Sequence, residues 1–246
     1  MMFVRNGALR GIPGLMAFSA NVPVKNSPFM EQPWHEEPQA AGTFGRKYGR
    51  EKKMRTEDHV LLAETLIRNL NIPDYKKKAF IKANAVPDYE PHTYLGNNVR
   101  YFGQGHSYPV RIRGLIRFLN KKPGKSVFWW FRFGLQIHYL TDFFSKPHNP
   151  RFGYKSRDHV AYEIEQHRMF PAMVQHNPWN TPQIRGEIGT WLMDRHREYM
   201  KRIRELSKDE EGNSTAEKAC METDGRYAVT TVMAVWEWEI NRMYSA

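Results

Sequence analysis

Residues 125–167 read KSVFWWFRFGLQIHYLTDFFSKPHNPRFGYKSRDHVAYEIEQH. The apolar run from Phe133 to Leu140 contains His138, and Asp142 follows His138 by four positions; His159 and Glu163 repeat that spacing. Residues four apart stack on one face of an α-helix, so each pair aims two metal-capable side chains at one spot. Pro147 fixes its own φ and disfavours the helical region at Lys146, which ends the first helix and leaves His148 at a bend between two helices. The bend turns both faces toward a common pocket. His138 and Asp142 can form one site there, and His148, His159 and Glu163 a second. Imidazole plus carboxylate is a ligand set that zinc accepts.

This order, H-x3-D-x5-H followed by H-x3-E, resembles the zinc-dependent phospholipase C and single-strand nuclease family, and the apolar run before His138 looks like that family's central helix. The resemblance implies an all-α fold: a single multi-helix domain of the zinc-dependent phospholipase C type with an extended N-terminal arm. It also implies a cluster of one to three zinc ions. Asp88, His106, His138 and Asp142 would hold one, His148, His159 and Glu163 a second, and His59 with a bridging Asp142 a third. Asp88 matches a residue that the family also uses in catalysis. Secreted members complete the third site with a processed N-terminal tryptophan. Here the candidate, Trp34, lies inside the leading segment, so that ligand is expected to be missing.

Away from that stretch, 246 residues are enough to bury a full core. The net charge of +11 at pH 7 implies an acidic partner: nucleic acid, an anionic lipid surface or acidic protein neighbours. A single cysteine, Cys220, excludes an internal disulfide framework. No stretch has the length of uninterrupted apolar residues that a membrane-spanning helix needs. Phe128, Trp129, Trp130 and Phe131 are read as core aromatics, with a lipid-interface role as the other reading.

Residues 1–53 read as a basic arm broken by glycine and proline, with no acid before Glu31. Such a leader resembles a mitochondrial presequence, which makes mitochondria the expected address, and an arm of this kind would lie on a partner. Residues 54–246 are then the all-α domain. Thr56 opens its first helix, with His59 either a solvent-facing first-turn residue or, by the resemblance, a ligand. A short helix is predicted over 75–83, followed by a loop containing Pro87 and Asp88. By itself Asp88 reads as a turn residue. His92 and His106 both follow, and His106 suits the family spacing better.

A basic helix is predicted over 110–119, with Arg113 and Arg117 on one face. No aromatic residues interleave these charges as base-stacking platforms, which makes nucleic acid the less favoured partner. Pro171 and then Pro178 and Pro182 mark a loop, after which helices are predicted over 183–206 and 224–243. His35, His176 and His196 are assigned to surface or loops, and His167, on the face of Glu163, is a reserve ligand. Two functions follow. One is a zinc-dependent phosphodiester hydrolase acting on an anionic lipid surface or another phosphodiester. The other is a non-catalytic accessory subunit of a mitochondrial membrane protein complex that keeps this fold and part of its metal site.

Overall fold

Seven α-helices make up the regular structure of the described residues, which in this computed structural model are 56–89, 108–149, 156–176, 179–209 and 214–245. They are α1 (Thr56–Ile67), α2 (Asp74–Tyr89), α3 (Tyr108–Leu119), α4 (Val127–Asp142), α5 (Ser156–His176), α6 (Ile188–Leu206) and α7 (Ser214–Ser245), with 3-10 turns at Lys146–His148 and Ser207–Asp209. No strand occurs among the described residues. The expected arm, 1–53, lies outside them.

The central helix α4 starts where Ser126 Oγ accepts the backbone N–H of Trp129 at 3.1 Å, satisfying one of the donors that a helix N-terminus leaves open. Its first half supplies the aromatic core. Phe133 stacks on Trp236 of α7 with centroids 5.6 Å apart, stacks on Phe118 of α3 at 5.9 Å, and meets Phe80 of α2 at 5.6 Å. Four helices therefore share one ring. Each fully buried aromatic of this kind stabilises the fold by roughly 1.5–3 kcal/mol, so these contacts fix how α4 sits against its neighbours.

Gly134 decides how close α2 comes. A Cβ at that position would lie 2.3 Å from the Phe80 carbonyl oxygen and 2.8 Å from Ala83 Cβ, so the α2–α4 crossing needs a residue without a side chain. Phe80, Asn84 and Asp88 form a stripe four residues apart on α2, and Gly134, His138 and Asp142 form the matching stripe on α4. The close crossing at one end of these stripes brings Asp88 alongside His138 at the other.

Several boundaries differ from the sequence expectation. α2 runs through Pro87, so Asp88 is a helical residue and not part of a loop. Pro87 lies near the end of α2 and removes one intrahelical donor, a small loss against the burial of that face on α4. Pro171 likewise lies inside α5, where the buried Phe170 and Val174 carry the helix past it. α6 begins at Ile188, because Gly186 is left-handed (φ 76°) and Glu187 caps Gly189 N–H and Thr190 N–H with its carboxylate. α7 starts at Ser214, earlier than expected. Ala216, Glu217, Lys218 and Ala219 are good helix formers, and Cys220 and Met221 are buried.

Candidate metal centre

His138 is completely buried, and its Nδ1 lies 2.7 Å from the Asn84 carbonyl oxygen of α2. A carbonyl only accepts, so Nδ1 carries the proton in the neutral ring and Nε2 is the nitrogen with a lone pair. That Nε2 faces carboxylates on both sides. Asp142 Oδ2 stands 3.2 Å away and Asp88 Oδ1 3.7 Å away. The other oxygen of Asp88 accepts the Thr56 hydroxyl of α1 at 3.1 Å, which leaves Oδ1 directed at the imidazole.

The two oxygens of Asp142 serve different neighbours. Oδ2 faces His138, while Oδ1 is 3.3 Å from Nε2 of His59 and 3.7 Å from Nε2 of His148. His148 in turn is 3.4 Å from Glu163 Oε1. His59 is buried on α1, with its ring stacked on His138 at 3.9 Å between centroids. His59, Asp88 and His138 offer ligand atoms that all lie within 4.8 Å of one another. The first-turn solvent position for His59 is thereby corrected.

These residues fit zinc on two counts. Two donors about 2.0–2.1 Å from one zinc ion at the tetrahedral angle are about 3.3–3.4 Å apart. The nitrogen–oxygen separations here, 3.2–3.7 Å, fall near that edge length. Secondly, Asp142 and Glu163 are buried carboxylates that converge on buried imidazoles, and a divalent cation is the compensation such a set takes in place of water. Burial works to lower the His148 pKa, but Asp142 and Glu163 outweigh it and raise it to about 9. His59 is also raised: burial opposes the shift, and Asp142 and then Asp88 overcome it.

The sequence model of the zinc-dependent phospholipase C family matches residues 58–206. The chain belongs to the zinc-dependent phospholipase C family. No curated protein and no solved structure matches it. The family match runs from the residue before His59 to the end of α6, so all the residues that converge on Asp142 lie within it. An all-α, phospholipase C-type fold and a cluster of residues that fits zinc are what this chain has in common with its family.

Of the other candidates, His106 lies outside the described residues, as does His92, and His159 belongs to the first turn of α5, where only the backbone is described. His167, the reserve ligand, has its Nδ1 2.8 Å from Asp58 Oδ1, a contact that ties α5 to α1. His196 is not a surface residue. It is buried on α6, its Nε2 lies 3.0 Å from Asn149 Oδ1, and burial pushes its pKa down to about 3.

The sequence reading also missed residues that support the centre. Asn84 orients His138, and Thr56 orients Asp88. Asn149, next to His148, donates through Nδ2 to the carbonyls of Phe143 and Ser145. Asn84 stands four before Asp88, so the spacing that exposed the ligands would also have exposed it. Nothing local marks Asn149.

Proposed function

We propose that this phospholipase C-family chain is a zinc-dependent phosphodiester hydrolase acting on phospholipid. One observation carries the reading: the Asp142 carboxylate is divided between His138 on one side and His59 and His148 on the other, in a buried cluster whose more open carboxylate is Asp88. His59, Asp88, His138, Asp142, His148 and Glu163 would hold the metal, joined by His106 and His159. Bound zinc lowers the pKa of water toward neutrality and neutralises charge that develops on a phosphodiester oxygen.

The chain's own residues divide the remaining work. Asn84 keeps the His138 ring in one tautomer and one orientation. Thr56 occupies one oxygen of Asp88, so Asp88 has a single directed oxygen with which to take a proton from the attacking water. Asp142 and Glu163 keep the imidazoles aligned, and the apolar side chains of α4 exclude solvent behind them.

The family supports lipid as the substrate class, because its described activity is that of a phospholipase C. The test has two readings. Protein purified without chelator is assayed for zinc by elemental mass spectrometry and for headgroup release from short-chain phosphatidylcholine, with a single-stranded oligonucleotide alongside. Zinc in the protein together with headgroup release that chelator abolishes supports the proposal. Zinc without turnover of lipid overturns it in favour of the accessory-subunit reading, in which the metal holds the fold together within a mitochondrial assembly. No zinc overturns the hydrolase reading and leaves a scaffold whose function lies in what its arm and basic face hold.

A further inference from the structure

The joined ends of α3 and α4 carry a basic surface with an exposed ring. From residue 91 to residue 141 the sequence contains no aspartate or glutamate. Arg113, Arg117 and Lys121 lie four apart along α3 and the turn after it; Lys125, Phe128 and Arg132 follow one face at the start of α4. All of these are exposed, and Phe128 is 66% exposed with Val127 beside it at 45%. Single exposed apolar residues are ordinary on protein surfaces. A large ring at the tip of a helix hairpin, ringed by cations with no acid among them, is not explained by that.

The platform under this tip is rigid. Trp129 stacks on Phe118 at 5.7 Å, and Gly124 folds back so closely that a Cβ there would meet the Trp129 ring at 2.9 Å. Arg242 of α7 donates to the Leu119 and Lys121 carbonyls at 2.7 and 2.8 Å, holding the end of α3. Acids that reach the loop are engaged elsewhere: Glu187 caps α6, and Glu239 is buried beneath Arg242. The cations Arg117, Lys121, Lys122, Lys125 and Arg132 outnumber these two acids.

We propose that this tip, Phe128 and Val127 set among Arg117, Lys121, Lys122, Lys125 and Arg132, docks on the surface of an anionic lipid bilayer. The combination of cations with an exposed ring at one end of a helix fits the interface, where the ring enters the headgroup layer and the cations meet lipid phosphates. A nucleic acid would need successive open ring faces. Here there is one exposed ring, and the Arg132 guanidinium already lies over it, 5.8 Å from its centroid. No described helix is long and apolar enough to cross a membrane. Phe128 is ten positions before His138, about 15 Å along α4. Docking therefore holds the protein at the membrane by the end of α4 away from the metal centre, and it does not depend on whether that centre hydrolyses lipid.

The test uses the full chain and vesicles of ether-linked, non-hydrolysable lipid, so that turnover plays no part. Co-sedimentation is compared on phosphatidylcholine alone and on phosphatidylcholine mixed with phosphatidylglycerol, at low and high salt. Binding is expected on the mixed vesicles only, and to weaken with salt. Each cation near an anionic surface contributes about fivefold in affinity, so K121E/K122E/K125E should bind roughly 100-fold more weakly or worse. Phe128→Ala should lose about five- to tenfold while keeping its salt dependence. Unchanged melting temperatures in both variants would show that only the surface was altered; if the charge-reversal variant is destabilised, the corresponding glutamine variant replaces it. Equal binding to both vesicle types overturns the proposal. So does equal binding by wild type and the variants, or affinity for an oligonucleotide or an acidic protein with none for the vesicles.

Discussion

Asp224 Oδ2 accepts the backbone N–H of Lys146 at 2.8 Å. The same oxygen accepts the Tyr162 hydroxyl at 2.9 Å, and Oδ1 accepts the Tyr199 hydroxyl at 2.9 Å. Lys146 stands two residues before His148, and Tyr162 immediately precedes Glu163. One fully buried carboxylate on α7 thus holds the two chain segments that bring His148 and Glu163 together.

Asp224→Ala is therefore expected to loosen that half of the metal centre. It removes one acceptor shared by two tyrosine hydroxyls and a backbone N–H, at a cost on the order of 3 kcal/mol. Zinc affinity, measured by competition with a chromogenic chelator, should fall about 10–100-fold, as it does for outer-shell partners of metal ligands. Asp224→Asn can keep all three bonds, with its amide N–H donating to Tyr199, and should restore most of the affinity. Equal affinity in wild type and Asp224→Ala would remove Asp224 from this role.

A pH dependence follows from the same side chain. Burial raises the Asp224 pKa to about 7, against the opposing pull of Lys146 N–H, Tyr162 and Tyr199. The folded state holds this proton more tightly than the unfolded state, so the stability it contributes is complete below the ordinary carboxylate range and is lost as pH rises through about 7. Asparagine has no such proton to lose. Thermal melting of wild type and Asp224→Asn between about pH 5.5 and 8 should show the variant gaining on the wild type by on the order of 2 kcal/mol. Glu239, also raised to about 7 by burial against the pull of Arg242, is present in both proteins and cancels from the comparison.

Gly134→Ala tests the helix crossing. Alanine is the better helix former by roughly 1 kcal/mol, yet its Cβ would stand 2.3 Å from a backbone oxygen that can yield only by moving α2. The steric term should win, with a net loss of about 1–3 kcal/mol by urea denaturation. Because α2 also carries Asn84 and Asp88, zinc content should fall with stability. A variant as stable as the wild type would show that α2 and α4 do not cross this closely.

Removing ligands directly separates metal binding from packing. His138→Ala and Asp142→Asn should each lower the zinc found by elemental mass spectrometry, and Asp142→Asn, which keeps its size, should do so with the smaller change in the metal-free melting temperature. Chelator should lower the melting temperature of wild type by several degrees and leave His138→Ala nearly unmoved. Unchanged metal in both variants would place the ions elsewhere.

The outcome for individual residues shows where sequence reading stops. His138 and Asp142 are four apart on one helix, and that spacing alone puts them on one face, because the periodicity is set by local backbone geometry. His148 was legible for a similar reason: Pro147 acts on its immediate neighbours, and the 3-10 turn Lys146–His148 stands at the expected bend. Asp88 was read as a loop residue because Pro87 is locally a helix breaker. What overrides it is packing of α2 on α4, which no local rule registers.

The sequence by itself determined the order of the candidate ligands and the bend at His148, since each rests on spacings within a few residues, and the all-α class followed from the family resemblance that those spacings carry. Only the tertiary structure decided which oxygen of Asp142 faces which histidine, that His196 is buried, and that Gly134 admits α2. Asn84 meets His138 across 54 positions and Asp224 meets Lys146 across 78. Contacts of that separation depend on how whole helices pack, and helix packing is the joint result of many buried side chains, which no short stretch of sequence contains.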